Sequence, residues 1–384
     1  MGKLIGYVKS FLKKGDMLLL FLCVTATVFG IVAIASATNY RGSGRFLLIQ
    51  SMALLLGILL YMVVTLVDID IFAGQRTLLV AFNTVFIGML LIWGVEGSTG
   101  NRSWLEFSFL PFNIQPAEIC KITFIVILAK TMSLQKDHVS SLRSVSQITL
   151  HTLYIVGLII VVSKDAGVAL TFVVIFIVMA YTGGVSGWWF VGGFGAIAAA
   201  MPFLWKYFMA DYQKNRILVI FDSSIDPSGL NERYHMMRSM DTLSGGGLTG
   251  QGLFHGSTVQ RGGLFAQHTD FIFSSIGEEL GLLGCVVVLV LLAAIVIRCI
   301  YVGVHARSYM NRMICFGIAA MLIFQIGVNV GMCLGVFPVI GLTLPFFSYG
   351  GSSIVTMFLA MGVVSGIKYR PATDTAIRYI TPYG

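Results

Sequence analysis

The chain has 384 residues, of which 57% are hydrophobic and 11% charged, and its formal net charge is +8 at pH 7. A mean hydropathy of +0.88 excludes an ordinary water-soluble globular protein and predicts an all-α, polytopic membrane protein. The six cysteines are scattered through apolar segments without paired spacing, so neither disulfides nor a cysteine metal site is expected.

Uncharged runs of about 20 residues, the length that crosses a bilayer as a helix, recur along the chain. The first three occupy residues 17–37, 46–67 and 77–95, and weaker spans cover about 117–132 and 148–163. Residues 166–205 suffice for two spans, interrupted at Thr182-Gly183-Gly184, and a third weaker span covers about 271–297. Residues 313–367 supply two more, broken at Pro338, Pro345 and Tyr349-Gly350-Gly351. The pattern predicts about ten transmembrane helices in a single domain over residues 1–384.

The distribution of lysine and arginine predicts that both termini are cytoplasmic, because short cytoplasmic loops are enriched in these residues. The residues assigned to that side are Lys3, Lys9, Lys13, Lys14, Arg76, Lys136, Arg143, Arg298, Arg307, Arg312, Lys368, Arg370 and Arg378. The first apolar run lacks a small-residue cleavage pattern after it, which favours a retained span over a removed signal peptide.

A long loop at about 208–268, between helices seven and eight, is predicted to be extracellular. It is basic and rich in glycine, notably at 245–247, 250 and 252, so we expect a flexible segment. Arginine side chains and backbone amides in glycine turns suit phosphate recognition. The alternative is an ordinary solvated loop beside anionic lipid headgroups, and the glycines match no known phosphate-binding loop.

The stretch from His268 to Gly281 places Asp270, Glu278 and Glu279 at the mouth of an apolar run. An ionised carboxylate at membrane depth is costly unless it is paired, hydrated or neutralised, which favours a functional site. For the two glutamates the alternative is equally open, since acids also favour the first turn of a helix.

A second constellation lies at residues 101–121 and contains Arg102, Trp104, Glu118 and Lys121. Pro116 suits the first turn of a helix, and Glu118 and Lys121 lie three residues apart, on one helix face. Either the two residues form a local pair that only steadies the helix, or Lys121 points into a polar cavity shared with Asp270.

These segments together resemble the SEDS family (shape, elongation, division and sporulation), which includes RodA, FtsW and SpoVE. The resemblance covers about residues 15 to 370. Its motifs are Arg102-Ser103-Trp104, Gln115-Pro116-Ala117-Glu118 with Lys121, Asn215-Arg216-Ile217, Ser244-Gly245-Gly246-Gly247-Leu248-Thr249-Gly250-Gln251-Gly252, His268-Thr269-Asp270-Phe271-Ile272-Phe273, Gly277-Glu278-Glu279 and Gly341-Leu342-Thr343-Leu344-Pro345-Phe346-Phe347-Ser348-Tyr349-Gly350-Gly351-Ser352-Ser353. The segment Lys164-Asp165-Ala166-Gly167-Val168 departs from the family's Pro-Asp-Leu-Gly-Thr: a threonine hydroxyl is lost and a lysine gained, which counts against a substrate role for that segment.

The resemblance implies a peptidoglycan glycosyltransferase that polymerises lipid II at the outer face of the bacterial cytoplasmic membrane. It implies that Asp270 is the essential acid and that a class B penicillin-binding protein is the partner. Lipid II and membrane lipid are the expected ligands, and nucleic acid is not expected. Residues expected to contact substrate are Arg102, Trp104, Glu118, Lys121, Arg216, His268, Thr269, Glu278 and Ser352.

The chemistry of the residues agrees with that implication. A sugar hydroxyl must lose its proton to a base while it displaces a lipid pyrophosphate, whose charge needs compensation. Asp270 is the best base, and Arg102, Lys121 and Arg216 are the best pyrophosphate ligands. A single base opposite the leaving group would invert the anomeric centre. No cofactor is certain, and a role for Mg²⁺ or Mn²⁺ is left open. The alternative function is a flippase or transporter of lipid-linked cell-wall precursors, and a structural scaffold would leave Asp270 and Lys121 without a purpose.

Overall fold

The computed structural model describes residues 11–12, 15–96, 101–107, 110, 112–207, 209, 211–226 and 233–369. Helices occupy all ten predicted spans. Eight of them are long and apolar enough to cross a membrane, counting Arg76–Trp93 as one span. The remaining two are the apolar helix Ala166–Thr182 and the more charged helix Pro116–Leu134.

The helices in chain order are α1 (Met17–Ala37), α2 (Gly44–Leu66), α3 (Ile69–Gly74), α4 (Arg76–Gly88), α5 (Leu90–Trp93), α6 (Pro116–Leu134), α7 (Leu142–Val162), α8 (Ala166–Thr182), α9 (Gly187–Tyr207), α10 (Asp211–Leu218), α11 (Tyr234–Ser244), α12 (Ile272–His305), α13 (Tyr309–Cys333) and α14 (Gly351–Tyr369). Strands β1 (Gly94–Glu96) and β2 (Arg102–Leu105) pair antiparallel between α5 and α6. Because a bilayer offers no partner to a free backbone amide, helices are the form in which these apolar runs can cross it.

Helices α13 and α14 form the interior of the bundle, and most of their residues are buried. The most extensive contact is between α14 and α2, followed by α13 with α12 and with α8. Glycines permit the close approach of α2: a Cβ on Gly57 would lie 2.9 Å from the ring of Phe358. Helix α9 differs from the rest, because none of the residues in its apolar window is buried.

The bundle has two ends that carry different polar groups. Gln267 donates to the carbonyl of Ala37, which places the last turn of α1 at the end where Asp270 begins α12. We call this the Asp270 end. At the opposite end, Asp16 caps α1 and accepts from Arg298 of α12 at 2.8 Å. We call that the Asp16 end.

Buried Asp16 caps α1 and contacts residues of three other helices, α2, α12 and α14. Lys368 of α14 lies 3.4 Å from its carboxylate, and the Tyr61 hydroxyl of α2 donates to its carbonyl. The sequence had placed Arg298 in a loop, and this is wrong: α12 continues to His305, and Arg298 is neutralised within the helix by Asp16. Arg312 likewise lies inside α13. The basic residues Lys3, Lys9, Lys13, Lys14, Arg370 and Arg378 lie outside the described residues.

Helix α12 breaks at Gly281, whose φ of 66° and ψ of −165° are not helical. The glycine-rich segment 247–252 fills the break with backbone hydrogen bonds. The amides of Gln251 and Gly252 donate to the carbonyls of Glu278 and Glu279, while the amides of Leu282 and Leu283 donate to the carbonyls of Gly247 and Leu248. The break therefore leaves these backbone groups paired, as a membrane protein requires.

This arrangement corrects the expectation that the glycines make this part of the loop flexible. A Cβ on Gly246 would collide with the carbonyl of Gly277, and one on Gly250 would collide with the carbonyl of Glu279. These glycines are needed because two backbone segments approach each other closely. From the sequence alone, glycines that permit close approach look the same as glycines that make a loop flexible.

Candidate active site

Asp270 lies on the short segment that joins the long loop to α12, just before the N-cap residue Phe271. The irregular segment 334–350 between α13 and α14 holds this part of the backbone. Ser348 Oγ donates to the carbonyl of Thr269 at 2.7 Å, and the Tyr349 amide donates to that of His268 at 2.8 Å. From α13, Asn329 Nδ2 donates to the carbonyl of Asp270 at 2.8 Å. The carboxyl group is thus presented by a backbone with little freedom.

Burial raises the pKa of Asp270 to about 6. Its Thr269 neighbour opposes the shift by hydrogen bonding, and the charge of Asp165 adds to it. Gly341 lies beside the carboxylate, where a Cβ would be at the ordinary contact distance of 3.7 Å from Asp270 Oδ2, and its φ of 72° is a conformation that favours glycine. A carboxylate with a pKa near neutrality is well suited to accept a proton in catalysis.

Glu118 and Lys121 form a buried ion pair in the first turns of α6, with 2.7 Å between Lys121 Nζ and Glu118 Oε1. Pro116 begins the helix and leaves Glu118 near its positive end. The Lys121 side chain is fully buried. The second oxygen, Glu118 Oε2, has no hydrogen-bond partner among the described residues. A buried acceptor without a partner is costly, and it is a natural place for a ligand donor.

Asp165 joins this pair to Asp270, and the sequence did not predict it. Asp165 caps α8 and accepts from the Val168 amide and from Ser103 Oγ, both at 3.0 Å. Its pKa is raised, first by burial; Glu118 raises it further, and Lys121 lowers it. Because its charge also acts on Asp270, one electrostatic cluster contains Glu118, Lys121, Asp165 and Asp270. Segment 164–168 therefore contributes an acid to the cluster, while its role toward substrate stays a prediction.

A signal for Asp165 was present in the sequence. It is an acid at the start of an apolar run, the same pattern that identified Asp270. It stands in a segment that departs from the family's motif, where Lys164 replaces the proline. The structure gives Lys164 a positive φ of 55°, an uncommon conformation for a residue that is not glycine.

The β1–β2 hairpin closes one side of the cluster. The Arg102 amide donates to the Ser163 carbonyl, and the hydroxyls of Ser103 and Ser163 lie 2.8 Å apart. Arg102 itself turns away to Glu96, 2.7 Å distant, and both side chains are about half exposed. Trp104 is partly buried opposite Val95. The substrate contacts of Arg102 and Trp104 stay predictions.

Ser352, in the first turn of α14, joins the start of α14 to the start of α6 by a hydrogen bond. Its hydroxyl accepts from the Gln115 amide at 3.4 Å, and the residue is buried. His268 packs its ring against Phe46 and Tyr349, with centroids 5.2 and 5.6 Å away. Burial lowers the pKa of His268, and the charge of Arg41 lowers it further, which favours the neutral ring.

Glu278 is buried and anchors the long loop. It accepts from the amides of Thr258 and Val259 at 2.9 and 2.8 Å and from the Ser257 hydroxyl. Glu279 similarly accepts from Ser36 and Gln260. A substrate contact of Glu278 stays a prediction, and protein donors occupy both of its oxygens.

Arg216 lies on α10 in the long loop and is partly buried. Its phosphate contact also stays a prediction. Within the described residues, no group of three or more His, Cys, Asp or Glu side chains is placed to hold a metal ion.

The chain is similar over most of its length to proteins of one family. The family model for the cell cycle proteins FtsW, RodA and SpoVE matches residues 16–372. The peptidoglycan glycosyltransferase MrdB of Escherichia coli K12 is 31% identical over 271 residues, which is 70% of this chain and 71% of MrdB. The probable peptidoglycan glycosyltransferase FtsW of Trichlorobacter lovleyi is 31% identical over 378 residues, covering 94% of this chain and 96% of that protein.

A solved structure on how a peptidoglycan synthase complex coordinates polymerization and crosslinking contains a chain of the same fold. It superposes with a TM-score of 0.80 at 30% identity and covers 94% of this chain and 99% of that one. Residues 16–372, which the family model matches, include all ten long helices and all four members of the charged cluster.

Proposed function

This chain belongs to the FtsW/RodA/SpoVE family, and from that premise we propose that its charged cluster is the centre at which lipid II is polymerised. The protein is a peptidoglycan glycosyltransferase with a multi-pass membrane fold. The observation that carries the proposal is the charged cluster at one end of the bundle, in which Glu118 and Lys121 are buried and Asp165 and Asp270 are partly buried. An isolated cluster of this kind in an apolar protein is expensive to maintain without a use.

Asp270 acts as the general base in this proposal. The sugar hydroxyl of one lipid-linked unit attacks the anomeric carbon of another. Its proton passes to Asp270, and the carbon–oxygen bond to the pyrophosphate breaks. Attack opposite the leaving group inverts the anomeric centre. The raised pKa of about 6 makes Asp270 a stronger base than a solvated aspartate, while leaving it mostly ionised at neutral pH.

Lys121 supplies positive charge for the departing pyrophosphate. Its ammonium is held by Glu118 Oε1, and Asp165 is close enough to interact with its charge. A cation fixed in a dry site stabilises developing negative charge more strongly than one in water. Arg102 and Arg216 are the further cations that we propose for the pyrophosphate, because guanidinium groups can grip two phosphate oxygens at once.

Lipid II combines a hydrocarbon tail with polar sugars, which suits a site at the end of a membrane-spanning bundle. We propose that the Asp270 end faces outward from a bacterial cytoplasmic membrane. The predominance of lysine and arginine on the opposite side supports this orientation. The similarity to a chain in a peptidoglycan synthase complex supports a class B penicillin-binding protein as the partner.

The test is polymerisation of labelled lipid II by the purified full-length chain, alone and with a class B penicillin-binding protein. Asp270→Asn keeps the size of the side chain and removes its basicity, so the rate should fall by about 10²-fold or more. Asp241→Asn, which changes an exposed acid of the long loop, is the matched control. Glycan strands made at the normal rate by folded Asp270→Asn would overturn the assignment. Parallel reactions with EDTA, Mg²⁺ and Mn²⁺ establish whether a divalent cation takes part.

A further inference from the structure

A cavity of about 260 Å³ opens at the Asp16 end, between the ends of α12, α13 and α14. Its polar lining comes from all three helices and the α12–α13 connection: Tyr301, His305, Arg307, Asn311 and Lys368. This cavity lies at the opposite end of the bundle from the glycosyltransferase cluster, and none of its residues serves the proposed chemistry.

The surroundings of the cavity are strongly positive. Residues 280–369 contain no Asp or Glu, and their four Lys and Arg residues, at positions 298, 307, 312 and 368, all lie at this end. Buried Asp16 engages Arg298 and Lys368. Arg307 and Arg312 form no ion pair within the part of the chain that the structure describes. The cavity therefore retains uncompensated positive charge suited to an anion.

A second observation points to a ligand. Asn311 is 5% exposed and lines the cavity, and its Oδ1 has no hydrogen-bond partner among the described residues. It lies in the first turn of α13, where no side chain caps the helix amides. An orphaned acceptor beside positive charge suits a ligand that carries both an anionic group and a hydroxyl donor.

An exposed apolar face continues from the cavity along α12. Ile297, Tyr301 and Val304 follow one another on this face and are 64%, 49% and 57% exposed. A bilayer would place acyl chains along this face, so a ligand whose anionic group fills the cavity and whose remainder follows α12 would be an amphiphile.

We propose that the cavity binds the headgroup of an anionic phospholipid that carries a hydroxyl, such as phosphatidylglycerol. Arg307 and Lys368 hold the phosphodiester, Asn311 Oδ1 accepts from the headgroup hydroxyl, and the acyl chains follow the exposed face of α12. The lysine and arginine distribution predicts that this end is cytoplasmic, so the lipid belongs to the inner leaflet.

The experiment measures binding of dioctanoyl phosphatidylglycerol and dioctanoyl phosphatidylcholine to the purified full-length protein by native mass spectrometry. Phosphatidylglycerol should bind more tightly, and Arg307→Gln should weaken it by about fivefold, the effect of one membrane-surface cation. Arg307 is exposed, so this change leaves the packing intact. Arg143→Gln, an exposed arginine on the same predicted side but outside the cavity, should leave the preference unchanged.

Three results would overturn the proposal. Equal losses in Arg307→Gln and Arg143→Gln would show a diffuse charge effect with no site. Displacement of the lipid by glycerol 1-phosphate at equal concentration would show that the acyl chains contribute nothing. Binding of hexaglutamate without any preference for phosphatidylglycerol would point to an acidic protein partner instead.

Discussion

Lys121 Nζ lies 2.7 Å from Glu118 Oε1, and neither side chain has meaningful access to solvent. The two residues are three positions apart on α6, so the helix itself enforces their proximity. Desolvation makes such a pair a weak source of stability, whereas the loss of one partner leaves a buried charge without compensation. The pair is therefore better suited to holding a cation in place for a substrate than to stabilising the helix.

A pair of variants separates these roles. Lys121→Met alone should lower the free energy of unfolding by about 3–5 kcal/mol, because Glu118 loses its partner. The double variant Glu118→Gln/Lys121→Met removes both charges and should recover most of that stability. It should nevertheless fail to polymerise lipid II. The measurements are thermal unfolding in detergent and polymerisation rate per folded protein. Full activity in the double variant would mean that the pair serves only the helix.

The pH dependence of polymerisation should follow the ionisation of Asp270. Its pKa of about 6 means that roughly a tenth of the protein keeps the base ionised at pH 5, so the rate should fall about fivefold from pH 6 to pH 5 and about tenfold for each further pH unit. Initial rates between pH 4.5 and 8 check this. A rate that stays constant down to pH 4.5 would exclude Asp270 as the base.

The same raised pKa has a consequence for stability. The pKa of Asp270 rises from 3.8 to about 6 on folding, so the folded state holds the proton more tightly. The resulting stabilisation is complete below about pH 4 and is lost as the pH rises through 6. Asp270→Asn, which never ionises, should therefore unfold at a higher temperature than the wild type at pH 7.5, with the difference disappearing near pH 4. Asp241→Asn should show no such gain.

The glycine-rich segment should respond to substitution as a packing element. Gly246→Val would force a side chain against the carbonyl of Gly277 and should destabilise the protein by about 1–3 kcal/mol or more. Gly247→Asn is the matched control, since a Cβ there meets nothing within 4 Å and asparagine tolerates its φ of 56°. The measurement is the unfolding temperature of each variant, which should fall for Gly246→Val and stay unchanged for Gly247→Asn. If both unfold like the wild type, close approach is not what requires the glycine at 246.

Arg216 tests the contribution of the long loop to pyrophosphate binding. Arg216→Lys keeps the charge but loses the planar fork, so it should raise the lipid II concentration needed for half-maximal rate. Arg261→Lys, an exposed arginine elsewhere in the loop, is the control. Rates against lipid II concentration at low and high salt measure the effect, which should shrink as salt screens the charges. Identical curves for both variants would make Arg216 dispensable.

The sequence predicted the spans well because charge is so rare in this chain. Apolar runs with little or no charge identified the ten long helices, and Asp270 was recognisable as an acid at the mouth of such a run. Glu118 and Lys121 were recognisable as a pair because helical spacing is a local property.

Features that depend on contacts between distant segments were missed. The break at Gly281 looks like any glycine in an apolar run, and only the approach of residues 247–252 gives it a purpose. Asp165 becomes part of the site only through its distant neighbours Ser103 and Glu118. Asp16 is buried against Arg298, which lies 282 residues further along the chain.

The position of Asp16 also bears on how the protein is made. Synthesis from the N-terminus delivers α1 to the membrane long before its partner Arg298, which lies 282 residues further along the chain. Lys368, on the last helix, follows later still. Until those helices insert, Asp16 has no partner on α12 or α14, and an unpaired acid favours the hydrated surface of the membrane over its interior. A chain that stalls before α12 therefore carries at its first helix an acid whose partner Arg298 has not yet been made.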